Sequence, residues 1–229
     1  MNATPEPASA AAAFDALVDK LSGRISLFLA QLVGDRELAQ DLLQDTLLAA
    51  YRSRDQLDAV SNPEAWLFGI ARNRALSANR RRRRARKALD RLGLLHREAT
   101  SDPAEAMATR DLLERYLEPN DRALLILRYL HGFDSQELGA VFRMSPEAIR
   151  QRLSRLRRRL RLAAGPAALG VEGLRPRGPD VQRYAEQSIE ELETDLALER
   201  FIAPLAEIPP VVPRPHEARW RSFWLRRRG

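Results

Sequence analysis

Apolar residues recur at three- and four-residue steps along most of the chain, and no stretch alternates with the period of two that a strand requires. Phe14, Leu17, Val18, Leu21, Ile25, Phe28, Leu29 and Leu32 predict a helix over 14–33, with Gly23 as a candidate kink. Gly34-Asp35 closes that helix, and the Asp35 carboxylate is suited to cap the next. Leu38, Ala39, Leu42, Leu43, Leu47, Ala50 and Tyr51 make the second helix, over 36–54, amphipathic, and a polar loop follows at 54–62. Asn62-Pro63 is a helix start with a mechanism. Asparagine accepts hydrogen bonds from the free amides, and proline at the first helical position has no amide to lose. The third helix runs through Trp66, Leu67, Ile70 and Ala71 into an unbroken arginine run, Arg80 to Arg84. Trp66 shares a face with Ile70, which assigns it to the core. Periodicity weakens over 88–102, read here as a linker. Asp102-Pro103 repeats the cap-plus-proline signal and opens a helix to about Leu117. Pro119-Asn120-Asp121 opens another, which His131-Gly132 ends.

Residues 132–161 carry the most information. Two short helices fit, about 135–142 and 146–161. Ser135, Gln136 and Glu137 stand at the first start, where acids suit the helix dipole, and Ser145-Pro146 stands at the second. A connection of three or four residues makes this a helix-turn-helix pattern. In the second helix Ile149, Leu153, Leu156 and Leu160 lie on one face; Arg150, Gln151, Ser154, Arg155, Arg157, Arg158 and Arg159 make the rest of the surface. Such a helix suits the DNA major groove, where arginine bonds guanine bidentately and glutamine bonds adenine. A helical hairpin with a charged outer face has the same periodicity; the positions of the caps and the turn favour the groove-reading unit. Arg150, Gln151, Ser154, Arg155 and Arg158 are its candidate DNA contacts, with the outer arginines serving phosphates more than bases.

Charge sharpens this picture. The 229 residues carry a formal net charge of +7, and Lys20 and Lys87 are the only lysines. The segment 33–64 leans acidic, 72–97 and 143–161 are strongly basic, 180–207 is acidic and the stretch from Arg214 is basic. Two separated basic blocks suggest two phosphate-contacting surfaces. Composition also excludes classes. With no cysteine there is no disulfide scaffold, cysteine nucleophile or thiolate metal site, and His96, His131 and His216 are too dispersed for a histidine metal cluster. There is no Gly-rich phosphate loop, so an enzyme is not expected, nor any metal, cofactor or small-molecule substrate. No apolar run approaches the roughly 20 residues of a membrane span, and the alanine-rich start is a poor signal peptide. A cytoplasmic location is the expectation.

At this point the sequence resembles the sigma-70 family of bacterial RNA polymerase sigma factors, in its extracytoplasmic-function (ECF) type. Gly132 to Leu160, following Asn120-Asp121-Arg122, resembles the family's region 4. Asp35-Arg36-Glu37-Leu38-Ala39-Gln40-Asp41-Leu42-Leu43-Gln44-Asp45 resembles the acidic helix of region 2, and Ala65-Trp66-Leu67-Phe68-Gly69-Ile70-Ala71-Arg72-Asn73-Arg74-Ala75 resembles the helix that ends it. The match covers about residues 10–162. It implies an all-α fold of two small helical domains: region 2-like over 10–87, a linker over 88–102, and a region 4-like helix-turn-helix over 103–162. A helical and extended C-terminal extension follows over 163–229.

The resemblance implies that region 2 binds core RNA polymerase and recognises and melts the downstream (−10) promoter element, while region 4 reads the upstream (−35) element. Asp41, Gln44, Asp45 and Leu48 recur on one face of the acidic helix and are the expected polymerase contacts; an acidic face with an apolar anchor suits a basic protein and repels DNA. Gln40 stands where the family usually has an acid. Asn73, Arg74, Arg80 and Arg81 are expected along the upstream duplex, and Asp58, Ser61 and Asn62 around a flipped base, with Asn62 also serving as the cap. Core polymerase and promoter DNA are the implied partners, with an anti-sigma factor as a further candidate. The alternative is a helix-turn-helix transcriptional regulator that never binds polymerase core; the acidic helix argues against it.

The extension departs from the family pattern. Residues 163–180 read as a linker, 181–205 as an acidic helix carrying Leu192, Leu196, Leu198, Phe201, Ile202 and Leu205, and 208–215 as polyproline. Trp220, Phe223 and Trp224 then alternate with arginines. Opposite charge on one chain predicts that the acidic helix folds back on a basic DNA-binding surface or a polymerase site and tunes activity. A tail without structure, or a small cap that only supports region 4, fits the same residues.

Overall fold

The computed structural model of the chain describes residues 7–91, 103–169 and 189–211. All regular structure among them is helical. Helix α1 (Pro7–Val33) is unbroken; Gly23, the expected kink, is helical and exposed, so the absent side chain costs no packing. Gly34 takes a positive φ of 66°, which turns the chain, and a Cβ there would collide with the Arg110 side chain. Helix α2 (Arg36–Arg52) starts at Asp35, whose carboxylate accepts from the Leu38 amide at 2.9 Å. Residues 54–59 form a 3-10 turn where the pattern predicts open loop. Asn62 accepts from the Ala65 amide at 2.9 Å, and α3 runs from Pro63 to Arg91, past residue 87. Phe14, Leu21, Ile25, Phe28, Leu43, Leu67 and Phe68 bury the apolar faces of these three helices together.

The second group begins with α4 (Ala104–Tyr116). Pro103 occupies its cap position rather than its first turn, and Asp102 lies outside the described residues. Helix α5 (Pro119–Leu125) passes into a π-helical turn, Ile126–Leu130, in which the His131 amide donates to the Ile126 carbonyl at 3.2 Å. Helix α6 (Ser135–Phe142) is capped by Asp134, not Ser135: the Asp134 carboxylate accepts from the Gln136 and Glu137 amides, and the Glu137 carboxylate accepts from the Asp134 amide. Helix α7 (Pro146–Leu169) is capped by Ser145 and continues past 161. Arg143 takes the left-handed conformation in the turn between them, and a Cβ on Gly139 would meet the Met144 carbonyl at 2.8 Å. The tight turn thus depends on a bare Gly139.

Helix α8 (Ile189–Ile202) and a 3-10 turn, Ala203–Glu207, are followed by residues 208–211 without regular structure, which end the described chain. Of the expected linkers 88–102 and 163–180, residues 88–91 and 163–169 instead continue helices α3 and α7, and the remainder, with the polyproline residues 212–215 and the aromatic end at Trp220, Phe223 and Trp224, lies outside the described residues. No described helix is long and apolar enough to cross a membrane.

Candidate nucleic-acid and polymerase interfaces

Helix α7 presents two faces. Ile149, Leu153, Leu156 and Leu160 are buried in the core, where α7 packs on α5, α6 and the helix 189–202. Arg150, Gln151, Ser154, Arg155 and Arg158 are exposed. Two arginines on this face are held by local contacts. Arg150 pairs with Glu147 one turn earlier at 2.8 Å, and the Arg155 Nε donates to the Gln151 carbonyl at 3.3 Å. Backbone amides at the helix start and Arg150 hold the Glu147 carboxyl below its usual range, so Glu147 stays ionised to shield or orient Arg150. Arg152 points away from this face and pairs with Asp121 at 2.6 Å.

Arg157 corrects the sequence reading. It was assigned to the helix surface, yet it is 7% exposed, and its Nε lies 2.6 Å from Asp195 Oδ1. Tyr129, buried beside the pair, donates its hydroxyl to the same carboxylate, and the Arg157 Nε lies 3.3 Å from that hydroxyl. Burial, and then the Asp195 charge, push the Tyr129 phenol above its ordinary range, so it remains a donor. Asp195 was not singled out in the sequence. The available signal was its place three and seven residues before Leu198 and Ile202, a carboxylate on the apolar face of a helix.

On α2, Asp41, Gln44 and Asp45 are exposed and Leu48 is half-buried beside them, an acidic strip with an apolar edge. Gln40 is buried and does not belong to it. On α3, Asn73, Arg74, Arg80 and Arg81 are exposed along the helix. The Asn73 amide oxygen accepts from Arg72 at 3.2 Å, and Arg80 donates to Ser77 at 3.2 Å. Ser61 is exposed and Asn62 half-buried, its oxygen occupied by the cap. Asp58 lies in the 3-10 turn; its side chain is outside what the structure describes. Trp66 and Ile70 are half-buried against the core.

The two helical groups meet directly. Arg72 on α3 donates from Nε and Nη2 to Asn120 Oδ1 at 2.9 and 2.6 Å, and its guanidinium stacks 4.3 Å from the Phe142 ring centroid. Burial, with Arg152 and Arg143 nearby, lowers the Arg72 pKa without discharging it. Arg83 pairs with Glu118 at 3.2 Å. Arg24 pairs with Glu64 and donates to the His131 carbonyl at 3.1 Å. The His131 ring sits edge-on to Phe28 and Phe68 and lies 3.0 Å from Gln31 Oε1. Its pKa is pushed down to about 4 by burial and the Arg24 charge, so it is neutral at pH 7.

Both helical groups match known families. A Sigma-70 region 2 family model matches residues 17–85, and a Sigma-70, region 4 model matches residues 110–160. The chain is 33% identical over 168 residues to the RNA polymerase sigma factor CarQ of Myxococcus xanthus, covering 69% of this chain and 93% of that one. It is 32% identical over 138 residues to the ECF RNA polymerase sigma factor SigM of Bacillus subtilis, covering 58% of this chain and 84% of that one. Among solved structures, the sigma factor RpoE in complex with the anti-sigma factor NepR from Bartonella quintana is similar, with a TM-score of 0.52 and 28% identity over 66% of this chain and 95% of that one.

Proposed function

The chain belongs to the ECF branch of the sigma-70 family of RNA polymerase sigma factors, and on that premise we propose how its faces divide the work of initiation. It binds core RNA polymerase and directs transcription to specific promoters. The acidic strip Asp41, Gln44, Asp45 and Leu48 docks on a basic site of the polymerase. Gln151 and Arg150 read base edges of the upstream element, Ser154 and Arg155 fix the register, and Arg158 contacts phosphate. Asn73, Arg74, Arg80 and Arg81 follow the duplex beside the downstream element, and Asp58, Ser61 and Asn62 receive an unpaired base. Residues 10–87 form the downstream-reading domain and 103–162 the upstream-reading one. Melting proceeds on binding energy for unpaired bases, which offsets lost stacking, and the chain makes and breaks no covalent bond.

The observation that carries this reading is the division of α7 into a packed apolar face and an exposed arginine–glutamine face, on the same chain as an exposed acidic strip. A regulator without polymerase would have no use for the strip, and the relatives named above are sigma factors. The test is run-off transcription with core polymerase on fragmented genomic DNA. New discrete starts are expected. Gln151→Ala should shift base preference at the upstream element, with a lost bidentate contact costing about 1–3 kcal/mol. Arg158→Ala should weaken binding to all sequences alike and flatten its salt dependence. Sequence-specific DNA binding without any new start would replace this reading with the polymerase-independent regulator.

A further inference from the structure

The segment 195–211 touches both halves of the molecule. Ala197, Leu198, Ile202, Leu205 and Ile208 are buried. On the region 4 side, α8 packs on α7 and the π turn, the 203–207 turn packs on α4, and Asp195 makes its buried bonds with Arg157 and Tyr129. On the region 2 side, Gln31 of α1 donates to the Leu205 carbonyl at 3.1 Å. Ser26 of α1 is bonded in both directions to Val211: it accepts from the amide at 2.8 Å and donates to the carbonyl at 2.9 Å. The strap therefore ties the region 2 helices to the region 4 helices, in addition to the direct packing of α3 on α6 and of Phe68 on Phe133.

We propose that this strap is a built-in inhibitor that holds the two DNA-reading regions too close together to engage one promoter. The proposal rests on the sigma-factor reading. The two promoter elements lie about 25 base pairs apart, about 85 Å of duplex at roughly 3.4 Å per base pair. A compact chain of 229 residues has a radius of gyration of about 17 Å and a diameter of about 45 Å. The closed molecule cannot straddle that distance, so the regions must separate. The strap does not work by covering contacts. Arg150, Gln151, Ser154, Arg155 and Arg158 are exposed while it is in place, and so are Asp41, Gln44 and Asp45. Each face is exposed; their separation is wrong.

The chemistry of the strap suits release. Asp195 is fully buried, and its Oδ2 has no hydrogen-bond partner among the described residues. A buried, half-satisfied ion pair returns little net stability, because its Coulomb attraction is offset by desolvation. Opening rehydrates both Asp195 and Arg157. A permanent cap would be better built from an apolar pair of the same volume. The ion pair fixes where the strap sits while the apolar residues hold it there.

The chain lacks cysteine, so Ala16→Cys on α1 and Ala140→Cys on α6 give a clean dye pair for energy transfer in the full-length protein. Two strap variants, Asp195→Lys and independently Ile202→Glu, leave every proposed polymerase and DNA contact in place. Both should lower energy transfer. Both should raise run-off transcription with core polymerase, about tenfold if the open form is about a tenth of the wild-type population. Binding to a short duplex carrying the upstream element alone should stay unchanged. Three results would overturn the proposal: unaltered energy transfer in both variants, lowered transfer with unaltered transcription, or a tenfold gain on the short duplex, which would mean that the strap acts by covering the DNA face. Absence of transcription from wild type and variants alike would strike the sigma-factor reading itself, and energy transfer would still report separately whether the strap holds the two regions together.

Discussion

Two seams join the region 2 helices to the region 4 helices, and they are built on opposite principles. The direct seam has Arg72–Asn120, Arg83–Glu118 and Arg24 with the His131 carbonyl as its polar contacts, part-buried or open to water, around the packed rings of Phe28, Phe68, His131 and Phe133. The strap seam uses Asp195, Arg157 and Tyr129, all withdrawn from solvent, with Ser26 and Gln31 bonding buried backbone. Ion pairs that stay wet exchange protein partners for water at little net cost. A dry pair cannot lose one partner without stranding a charge. The difference lies in the polar chemistry: the polar contacts of the direct seam can exchange with water in place, whereas the buried pair of the strap must be broken as a unit when the strap lifts.

The largest way to break this comparison is Asp195→Ala. It leaves Arg157 without its carboxylate in the closed form, and the closed form should lose about 3–5 kcal/mol, up to the point where the strap opens and Arg157 is hydrated. Energy transfer against denaturant measures it, and a loss below 1 kcal/mol in this readout would place the strap among the wet seams.

Acid should act next, through His131. Its folded pKa is about 4 against an ordinary 6.5, so between those values the unfolded chain binds the proton more readily. The stability it protects is therefore complete above about pH 6.5 and lost as pH falls toward 4, by up to roughly 3 kcal/mol at about 1.4 kcal/mol per unit. Arg24 and Glu64 face the same junction from α1 and α3. Denaturation midpoints at pH 7 and pH 5 read the slope, and His131→Phe should flatten it; a slope that survives this substitution assigns it to other groups.

Ser26→Ala removes both bonds to Val211 and leaves a buried amide and carbonyl unsatisfied, which should cost the strap about 1–3 kcal/mol. Hydrogen exchange at the Val211 amide is the direct measure. The smallest effect is expected from Arg83→Ala. Its pair with Glu118 is mostly exposed, and its loss should change stability by no more than about 0.5 kcal/mol, with no strap opening. A large effect here would erase the distinction between the seams.

Much of the helical framework was legible because it is locally encoded. Asp35, Asn62 and Ser145 cap the helices they precede, and the apolar steps of α7 are its buried positions. The errors share a cause. Gly23 reads as a breaker, but a glycine at an exposed helical position costs only about 1 kcal/mol, which the packing of α1 overrides. Arg157 reads as surface because an arginine in an arginine-rich helix carries no mark of burial; only Asp195, 38 positions later, makes its burial tolerable. The acidic helix is expected to fold back on a basic DNA-binding surface or a polymerase site; among the described residues it packs on α7 through the Asp195–Arg157 pair, and the arginine–glutamine face stays exposed.

The sequence by itself determined the all-helical architecture, the order of the two sigma regions and the chemistry of the faces on α2 and α7. Each rests on spacing, capping or residue type within one element, and these act over a few residues. Tertiary structure alone decided that the two regions are fastened together, that Arg72 and His131 lie in the junction, and that Asp195 closes a strap over it. Those facts depend on contacts between residues 35 to 185 positions apart in the chain, from Arg83 with Glu118 to Ser26 with Val211. No local pattern encodes such contacts; they form because burying the apolar side chains of both partners at once is what brings the polar atoms within reach.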